Sequence, residues 1–287
     1  DVLISRCRPA EPQRELYRNA AADEVLFIHG GQGVFRSAFG RLPFQEFDYL
    51  VVPRCTTYQI EFEADSGLDL LVVESTGGLT NPPHYLNADG QLKLGAPYSE
   101  RDLKPPRELE TIDEETPTPV VIKQEATWTR YVMAHHPFDV IGWDGYLYPF
   151  TFNALDFEPI TGRVHQPPPV HQTFEAPGFV VCTFAPRVLD TDPRAVKVPY
   201  AHSNVQADEL LYYVKGQFGS RRGVSAGSFT LHPSGLPHGP HPGTLRASRS
   251  TDRTEELAVM IDSFRPLLPT TESIAFDDAS YPMSWME

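Results

Sequence analysis

Basic charge and long apolar runs are both scarce in this chain of 287 residues. It carries 24 Lys and Arg residues against 38 Asp and Glu residues, which gives a formal net charge of −14. Nucleic acid and anionic membranes require a concentrated basic surface, so we expect neither as a partner. The sequence also lacks any run of 18 or more apolar residues, which argues against a transmembrane helix.

Cysteine is equally scarce. The three cysteines, Cys7, Cys55 and Cys182, are scattered and odd in number. They favour reduced thiols in the cytoplasm over a disulfide framework or a zinc–thiolate site. The chain begins with Asp1 and shows no charged-then-apolar leader. We therefore expect it to lack part of a natural N-terminal segment.

Proline is abundant, and few long segments are free of it. The sequence contains 28 Pro and 20 Gly residues, together with 17 Phe and 12 Tyr. Proline removes a backbone donor and interrupts helices and central strands, so long helices are not expected. The composition predicts a folded, mainly β protein built from short strands and ordered turns.

The stretch from residue 200 to 241 carries the strongest chemical signal. Two aromatic-rich apolar runs, bounded by Gly and Pro, are typical of strands. His202 and Glu209 lie just before the first strand, and His238 follows the second after a Pro-x-Gly turn. If the strands pair, the three side chains meet. Two imidazoles and one carboxylate form the ligand set of non-heme Fe(II) oxygenases, although Mn, Ni or Zn would also be accepted.

The N-terminal half repeats this pattern. Residues 23–31 correspond to residues 208–216, and residues 53–58 correspond to residues 233–238. The alternative is that two β domains share strand-and-turn chemistry by chance. We interpret the repeat as two similar β-barrels.

The two halves differ at the ligand positions. Tyr17 stands at the position of His202 and Tyr58 at the position of His238, whereas Glu24 is retained. A site that has lost both imidazoles is not expected to bind the metal. The repeat therefore predicts a metal site in the C-terminal half only.

The spacing of the candidate ligands resembles the paired motifs of the cupin superfamily. The residues that carry this resemblance are His202, Asn204, Glu209, Gly216, Pro233, Gly235 and His238. Cupins usually have a second His where Asn204 stands, so a set of two His and one Glu remains. The resemblance implies a bicupin of two jelly-roll β-barrel domains. We place a degenerate barrel at residues 1–125 and the metal-binding barrel at residues 126–287.

Three longer segments, residues 138–145, 199–204 and 231–240, extend the similarity. With them, the chain from about residue 1 to 269 resembles the homogentisate 1,2-dioxygenase family, iron-dependent enzymes of tyrosine and phenylalanine catabolism. The resemblance implies Fe(II), ring cleavage of homogentisate by O2 to maleylacetoacetate, and a homo-oligomer. It also implies His202, Glu209 and His238 as iron ligands.

The same resemblance suggests roles for other residues. His171 is the best match to the acid/base that acts on the substrate phenol, and His165 is the second choice. Tyr200 and Asn204 match residues beside the first ligand, where they would contact the substrate.

Two substrate-binding positions depart from the family pattern. Lys215 and Phe218 stand where longer members carry an Arg and a Tyr that bind the substrate carboxylate. Lysine can still pair with a carboxylate, but only as a point charge; Arg221 and Arg222 are further candidates. His232 is expected either to line the pocket or to support a ligand, with a simple buried histidine as the alternative.

The alternatives to homogentisate cleavage fall into three classes. They are cleavage of a related hydroquinone or gentisate-type acid, an isomerase or hydrolase that uses another divalent metal, and a non-catalytic sugar-binding or storage cupin.

Overall fold

The computed structural model describes residues 1–140, 142, 145, 147–161, 168–195, 200–216, 223–243, 246 and 250–284. These residues divide into two compact units. The first comprises residues 1–79 and 98–156, and the second comprises residues 80–97 and 157–287.

The first unit contains eleven strands among its described residues. In chain order, β1 to β11 are Val2–Cys7, Leu16–Asn19, Asp23–Gly30, Gly33–Ser37, Gly40–Phe44, Asp48–Val52, Thr57–Glu61, Asp69–Ser75, Thr118–Gln124, Thr127–Met133 and Phe150–Asn153. A 3₁₀ turn covers Glu100–Asp102 and another covers Ala154–Asp156.

These strands form two sheets, in the orders β1-β8-β3-β6-β11 and β10-β9-β2-β7-β4-β5. From β2 to β8 the chain crosses repeatedly between the sheets, as expected of a jelly roll. Buried apolar side chains, including Leu26, Phe35 and Leu50, form the core of the unit.

The second unit has seven strands in its described part. In chain order, β12 to β18 are Gln172–Ala176, Phe179–Phe184, Arg187–Val188, Asp208–Lys215, Phe229–His232, Arg253–Thr254 and Leu257–Ser263. Five of them form a sheet in the order β12-β13-β18-β15-β16, and β14 pairs with β17. Strand β18 is buried along its whole length.

Short helical turns complete the second unit. A four-residue helix, α1, spans Thr271–Ile274 near the C-terminus. The 3₁₀ turns are Pro83–Tyr85, Pro168–His171 and Tyr281–Met283. In the described part of the chain, no helix is long and apolar enough to cross a membrane.

Strand pairing confirms the internal repeat. The order β1-β8-β3-β6 in the first unit matches β13-β18-β15-β16 in the second. Glu24 lies opposite Val52, and Glu209 lies opposite His232. The register shift between Ile28 and Gly30 recurs between Tyr213 and Lys215. Two sheets that agree in order, register and irregularity share one architecture, so the prediction of a mainly β bicupin is confirmed.

A close backbone approach recurs with the repeat. Gly31 has φ 87°, and Gly216 has φ 111°. A Cβ atom at Gly31 would lie 2.8 Å from the Leu68 Cα atom, and one at Gly216 would lie 2.8 Å from the Glu256 Cα atom. Both the backbone angle and the lack of space require glycine at the end of this strand.

The units do not divide at the predicted boundary between residues 125 and 126. Strand β11 pairs with β6, and β9 and β10 join the sheet of β2, so residues 98–156 belong to the first unit. Thr80 exchanges backbone hydrogen bonds with Glu175, which places residues 80–97 in the second unit. These pairings connect residues far apart in sequence, and the loop composition gave no sign of them.

Candidate metal centre

The strand ends of the second unit bring His202, Glu209 and His238 together. His202 and His238 form an antiparallel bridge, and the two backbone N–H groups each donate to the carbonyl of the other residue at 2.8 Å. Their ring centroids are 4.4 Å apart. Glu209 is the second residue of β15 and faces this bridge. The structure thus places the three predicted ligands in one cluster.

A tight turn returns His238 to this position. The Leu236 N–H donates to the Pro233 carbonyl at 3.1 Å, and Gly235 adopts φ 79°. The Gly235 N–H donates to the Asn204 carbonyl at 2.7 Å, which ties the turn to the segment that carries His202. Positive φ favours glycine at residue 235, and this explains the Pro-x-Gly signal in the sequence.

In both histidines of the cluster, the Nδ1 atom is hydrogen-bonded to a backbone carbonyl. His202 Nδ1 lies 2.8 Å from the Tyr200 carbonyl oxygen, and His238 Nδ1 lies 2.9 Å from the Leu236 carbonyl oxygen. A carbonyl only accepts, so each Nδ1 carries the proton and donates. When such a ring is neutral, the lone pair of Nε2 points toward the cluster, which is the arrangement that metal-binding histidines use.

Glu209 supplies the negative charge of the cluster. His202 Nε2 lies 3.8 Å from its Oε2 atom, and His238 Nε2 lies 3.4 Å from its Oε1 atom. Burial opposes ionisation, but interactions with His202, His232 and His238 outweigh it and lower the pKa of Glu209 well below its usual range. The carboxylate is therefore charged at neutral pH.

The cluster fits a divalent metal ion. The three donor atoms lie within 4.8 Å of one another. Two atoms bound about 2.1 Å from one ion, at angles of about 90–110°, are separated by about 3.0–3.5 Å, so a small closure suffices. His238 Nε2 is buried and has no hydrogen-bond partner in the described part of the chain. A buried acceptor without a partner is costly, and a metal ion would satisfy it.

The cluster is open on one side. The side chain of His202 is 34% exposed, whereas those of Glu209 and His238 are 8% and 2% exposed. Three protein ligands on one face leave further coordination positions for other molecules. The described residues leave the His202 side accessible to them.

His232 contacts both Glu209 and His238. Its Nδ1 atom lies 2.9 Å from Glu209 Oε1, and its ring stacks on His238 with centroids 4.2 Å apart. It is buried, with 6% of its surface exposed. These contacts join His232 to two members of the cluster, and a role in supporting metal ligands stays a prediction.

Two further residues were not recognised in the sequence. Asp262 lies opposite Glu209 in β18, and its Oδ1 atom is buried without a hydrogen-bond partner in the described part of the chain. Burial, with the charge of Glu209 next in importance, raises the pKa of Asp262 to about 7. An acidic residue at the end of the apolar run in β18 was a usable signal. The second residue, Tyr281, contacts His232 from the C-terminal segment.

Tyr200 and Asn204 both lie two residues from His202 in the chain. The ring of Tyr200 is centred 5.3 Å from that of His202. The Asn204 side-chain oxygen accepts from the Gln206 N–H at 3.4 Å, and its backbone carbonyl holds the turn at Gly235. Both Asn204 contacts are structural, and a role in substrate binding stays a prediction.

Lys215 is not brought to the cluster. It is exposed and lies at the far end of β15, six residues beyond Glu209. At about 3.3 Å per residue, this separates the two residues by about 20 Å along the strand. His165, Phe218, Arg221 and Arg222 lie outside the described residues.

His171 is deeply buried, and only 1% of its surface is exposed. Its ring lies 4.6 Å from that of Phe184, and neither ring nitrogen has a well-aligned hydrogen bond among the described residues. Burial, with the charge of Arg187 second, lowers the pKa of His171 to about 3. Its imidazole is therefore neutral at pH 7, and none of its described ring contacts is with the three clustered ligands.

At the equivalent position in the first unit, two tyrosine hydroxyls are hydrogen-bonded to Glu24. The Tyr17 hydroxyl donates to Glu24 Oε1 at 3.2 Å, and the Tyr58 hydroxyl donates to Glu24 Oε2 at 3.1 Å. Asn19 adds a hydrogen bond to Glu24 Oε1 at 3.2 Å. A neutral phenol presents a proton, not a basic nitrogen, so these residues do not form the ligand set of the second unit.

Known proteins resemble this chain over most of its length. A family model described as the N-terminal part of homogentisate 1,2-dioxygenase matches residues 9–154. A provisionally named dioxygenase of Saccharolobus solfataricus is 42% identical over 99% of this chain and 74% of its own length. Homogentisate 1,2-dioxygenases of Bradyrhizobium diazoefficiens and Nitrobacter hamburgensis are 24% and 25% identical over 78% and 90% of this chain.

The chain spans only 50% and 59% of the lengths of those two homogentisate dioxygenases. Among solved structures, a salicylate 1,2-dioxygenase of Pseudoaminobacter salicylatoxidans aligns with 91% of this chain and 68% of its own chain, at 12% identity and a TM-score of 0.42. That score is too low to establish a shared fold, so the fold assignment rests on strand order and register. The family model and the close relative show that the chain belongs to the homogentisate 1,2-dioxygenase family.

Proposed function

We propose that this protein is an Fe(II)-dependent ring-cleaving dioxygenase that opens a dihydroxyphenyl acid with O2, with homogentisate as the substrate and maleylacetoacetate as the product. The observation that carries the proposal is the cluster of His202, Glu209 and His238, whose donor atoms lie within 4.8 Å of one another. Two neutral imidazoles and one carboxylate on one face are the ligands that non-heme Fe(II) oxygenases use. The names of the relatives support the reaction class.

The three ligands would hold the iron, which when bound supplies the electron transfer that makes O2 reactive. The protein positions the reactants and controls their protons. Backbone carbonyls of Tyr200 and Leu236 fix the two imidazoles before any substrate arrives, so little reorganisation is needed on binding. The open side at His202 would admit the aromatic ring, and Tyr200 stands there to contact it.

His171 is the proposed acceptor of the phenol proton. Its pKa, lowered to about 3 by burial and then by Arg187, keeps the imidazole neutral at pH 7, so a ring nitrogen is available as an acceptor. An anionic substrate beside it would favour the protonated imidazole and raise this pKa, which makes His171 a better base in the complex than in the free protein.

A second substrate class is favoured by the position of Lys215. The family resemblance offers Lys215, with Arg221 and Arg222 as alternatives, for the carboxylate of homogentisate, yet Lys215 lies about 20 Å along β15 from Glu209. An acid whose carboxylate is attached directly to the ring, as in gentisate-type substrates, needs no such distant cation. A cupin isomerase that uses another divalent metal with these ligands is the remaining alternative.

Oxygen uptake tests the proposal. Metal-free protein is loaded anaerobically with Fe(II), Mn(II), Ni(II) or Zn(II) and then supplied with homogentisate, gentisate or unsubstituted hydroquinone. We expect one O2 consumed per molecule of homogentisate, with iron only, and both oxygen atoms in the ring-opened product. Turnover of gentisate alone would move the assignment to the second class, and turnover without O2 would refute the proposal.

We also propose that the protein acts in the cytoplasm as a homo-oligomer, without nucleic acid or membrane partners. Three reduced cysteines and a net charge of −14 support this setting. Size-exclusion chromatography with light scattering measures the oligomeric state directly.

A further inference from the structure

Tyr281 joins the C-terminal segment, residues 264–284, to the cluster of His202, Glu209 and His238 by way of His232. Tyr281 begins the 3₁₀ turn Tyr281–Met283, and its hydroxyl lies 3.0 Å from His232 Nε2. Phe276 and Met283, in the same segment, are 89% and 55% exposed. Tyr281, unlike these two side chains, has a described hydrogen bond to a residue that contacts the cluster.

The proton positions along this contact are determined by chemistry. The carboxylate of Glu209 only accepts, so His232 Nδ1, at 2.9 Å from Oε1, must donate. In the neutral ring the other nitrogen then becomes an acceptor, and the Tyr281 hydroxyl can donate to it at 3.0 Å. Tyr281, His232 and Glu209 thus form one directed chain of hydrogen bonds.

The hydrogen bond from His232 orients the carboxylate of Glu209. His232 occupies Oε1, so Oε2 is the oxygen left to face His202. The His232 ring also stacks on His238, with an interplanar angle of 18°. Fixing His232 therefore fixes two of the three ligands at once.

The first unit provides an internal comparison. Strand register places Val52 opposite Glu24, where the second unit has His232 opposite Glu209. Val52 carries no hydrogen-bonding group, and the unit that contains it has no imidazole at either ligand position. The supporting histidine thus accompanies the ligand set, as expected if its purpose is to orient the ligands.

We infer that Tyr281 is a positioning residue of the metal centre, which holds His232 so that Glu209 and His238 are oriented before the metal binds. This inference rests on the proposed metal site. Partners behind the ligands typically change metal affinity by about 10- to 100-fold, and Tyr281 acts through one intervening ring. We therefore expect an effect near the lower end of that range.

The test measures metal affinity in the absence of substrate. Full-length Tyr281→Phe, which removes only the hydroxyl, is titrated with Co(II) as an optical probe, beside the wild type and Phe276→Ala. Phe276→Ala is the matched control because it alters an exposed aromatic residue of the same segment. We expect Tyr281→Phe to bind Co(II) roughly tenfold more weakly, and Phe276→Ala to bind as the wild type does.

A double-mutant cycle separates this role from a general effect on folding. In a His232→Val background, which copies Val52, Tyr281→Phe should cause no further loss of affinity. An equal loss in both backgrounds, unchanged affinity in Tyr281→Phe, or an equal loss in Phe276→Ala would overturn the inference. If wild-type protein binds no Co(II), the proposed metal site itself is refuted.

Discussion

The two units share strand order and register, but they carry different side chains at the equivalent positions. In one, Glu24 is bonded to the hydroxyls of Tyr17 and Tyr58; in the other, Glu209 faces the imidazoles of His202 and His238. The bonds that hold the adjoining turns are also repeated. Asp23 accepts from the Arg54 and Leu79 N–H groups at 2.7 and 2.8 Å; in the second unit, the corresponding aspartate, Asp208, accepts from the Ser234 and Leu267 N–H groups, both at 2.8 Å.

The carboxyl groups respond differently to these neighbours. Burial dominates at Glu24, and its pKa is raised to about 7 despite hydrogen bonds from Asn19, Tyr58 and Tyr17. At Glu209 the histidine contacts outweigh burial and lower the pKa. The difference shows that matching strands can carry two different sets of side chains. The proposed metal site depends on the two residues on either side of the carboxylate that both units share.

The largest effect is expected when His238 is replaced by tyrosine, the residue that the first unit carries at the equivalent position, Tyr58. His238→Tyr substitutes a phenol for a basic nitrogen, and we expect loss of Fe(II) or Co(II) affinity by about 1,000-fold or more. The measurement is metal titration of the purified protein. Tyr58→Phe, at the equivalent position, serves as the control and should retain one metal per chain; if His238→Tyr also retains it, His238 is not a ligand.

A second variant separates proton transfer from metal binding. His171→Ala should retain the metal affinity of the wild type, since no described contact joins His171 to the ligands. We expect kcat to fall by about 10²- to 10⁴-fold, the usual contribution of a general base. The measurements are steady-state O2 uptake and metal content on the same preparation. Equal loss of metal in His171→Ala and His202→Ala would show that the two roles are assigned wrongly.

The reverse substitution introduces the two histidines of the second unit into the first unit. Tyr17→His combined with Tyr58→His gives the first unit two imidazoles around Glu24, and we expect metal content to rise from one to two per chain. The introduced site should bind metal more weakly, because the residues around it, Asn19 and Glu74, do not orient imidazole ligands. The Lys123 ammonium, which pairs with Glu74, also adds a positive charge nearby. Co(II) titration measures the stoichiometry, and a value that stays at one would contradict the proposed equivalence.

The smallest effect is on stability. A carboxyl whose pKa is about 7 when folded and 4.5 otherwise binds its proton more tightly in the folded protein. It therefore stabilises the protein fully below pH 4.5, and this contribution is lost as pH rises through 7. Relative to Glu24→Gln, the wild type should lose up to about 3 kcal/mol of unfolding free energy between pH 4.5 and 8.

Denaturant unfolding at several pH values measures this difference. Glu63→Gln, on the exposed surface, is the control for loss of a carboxylate elsewhere in the unit. A difference in unfolding free energy between Glu24→Gln and the wild type that is independent of pH would show that folding does not raise the pKa of Glu24.

The clustering of His202, Glu209 and His238 was predictable from sequence because these residues lie on or beside one hairpin, β15–β16. His202, Glu209 and His238 lie within 37 residues, next to strands with clear apolar patterns and a Pro-x-Gly turn. The internal repeat helped as well, because it showed that the two histidine positions of the second half are tyrosines in the first half. The mainly β architecture followed from proline content and short apolar runs.

Long-range pairing was not predictable in the same way. Strand β18 brings Asp262 opposite Glu209 from 53 residues away, and Tyr281 reaches His232 from an irregular segment without periodicity. The family resemblance also assigned Lys215 to the substrate by its place in the motif. Because Lys215 lies in the same extended strand as Glu209, at about 3.3 Å per residue, the strand itself keeps the two residues apart.

The central claim is that one metal ion binds in the second unit and none in the first. Anomalous diffraction at the iron absorption edge, on crystals of the Fe(II)-loaded protein, tests it most directly. We predict a single peak about 2.1 Å from Nε2 of His202, Nε2 of His238 and a carboxylate oxygen of Glu209. A peak beside Glu24, or a metal bound away from these three side chains, would contradict the account.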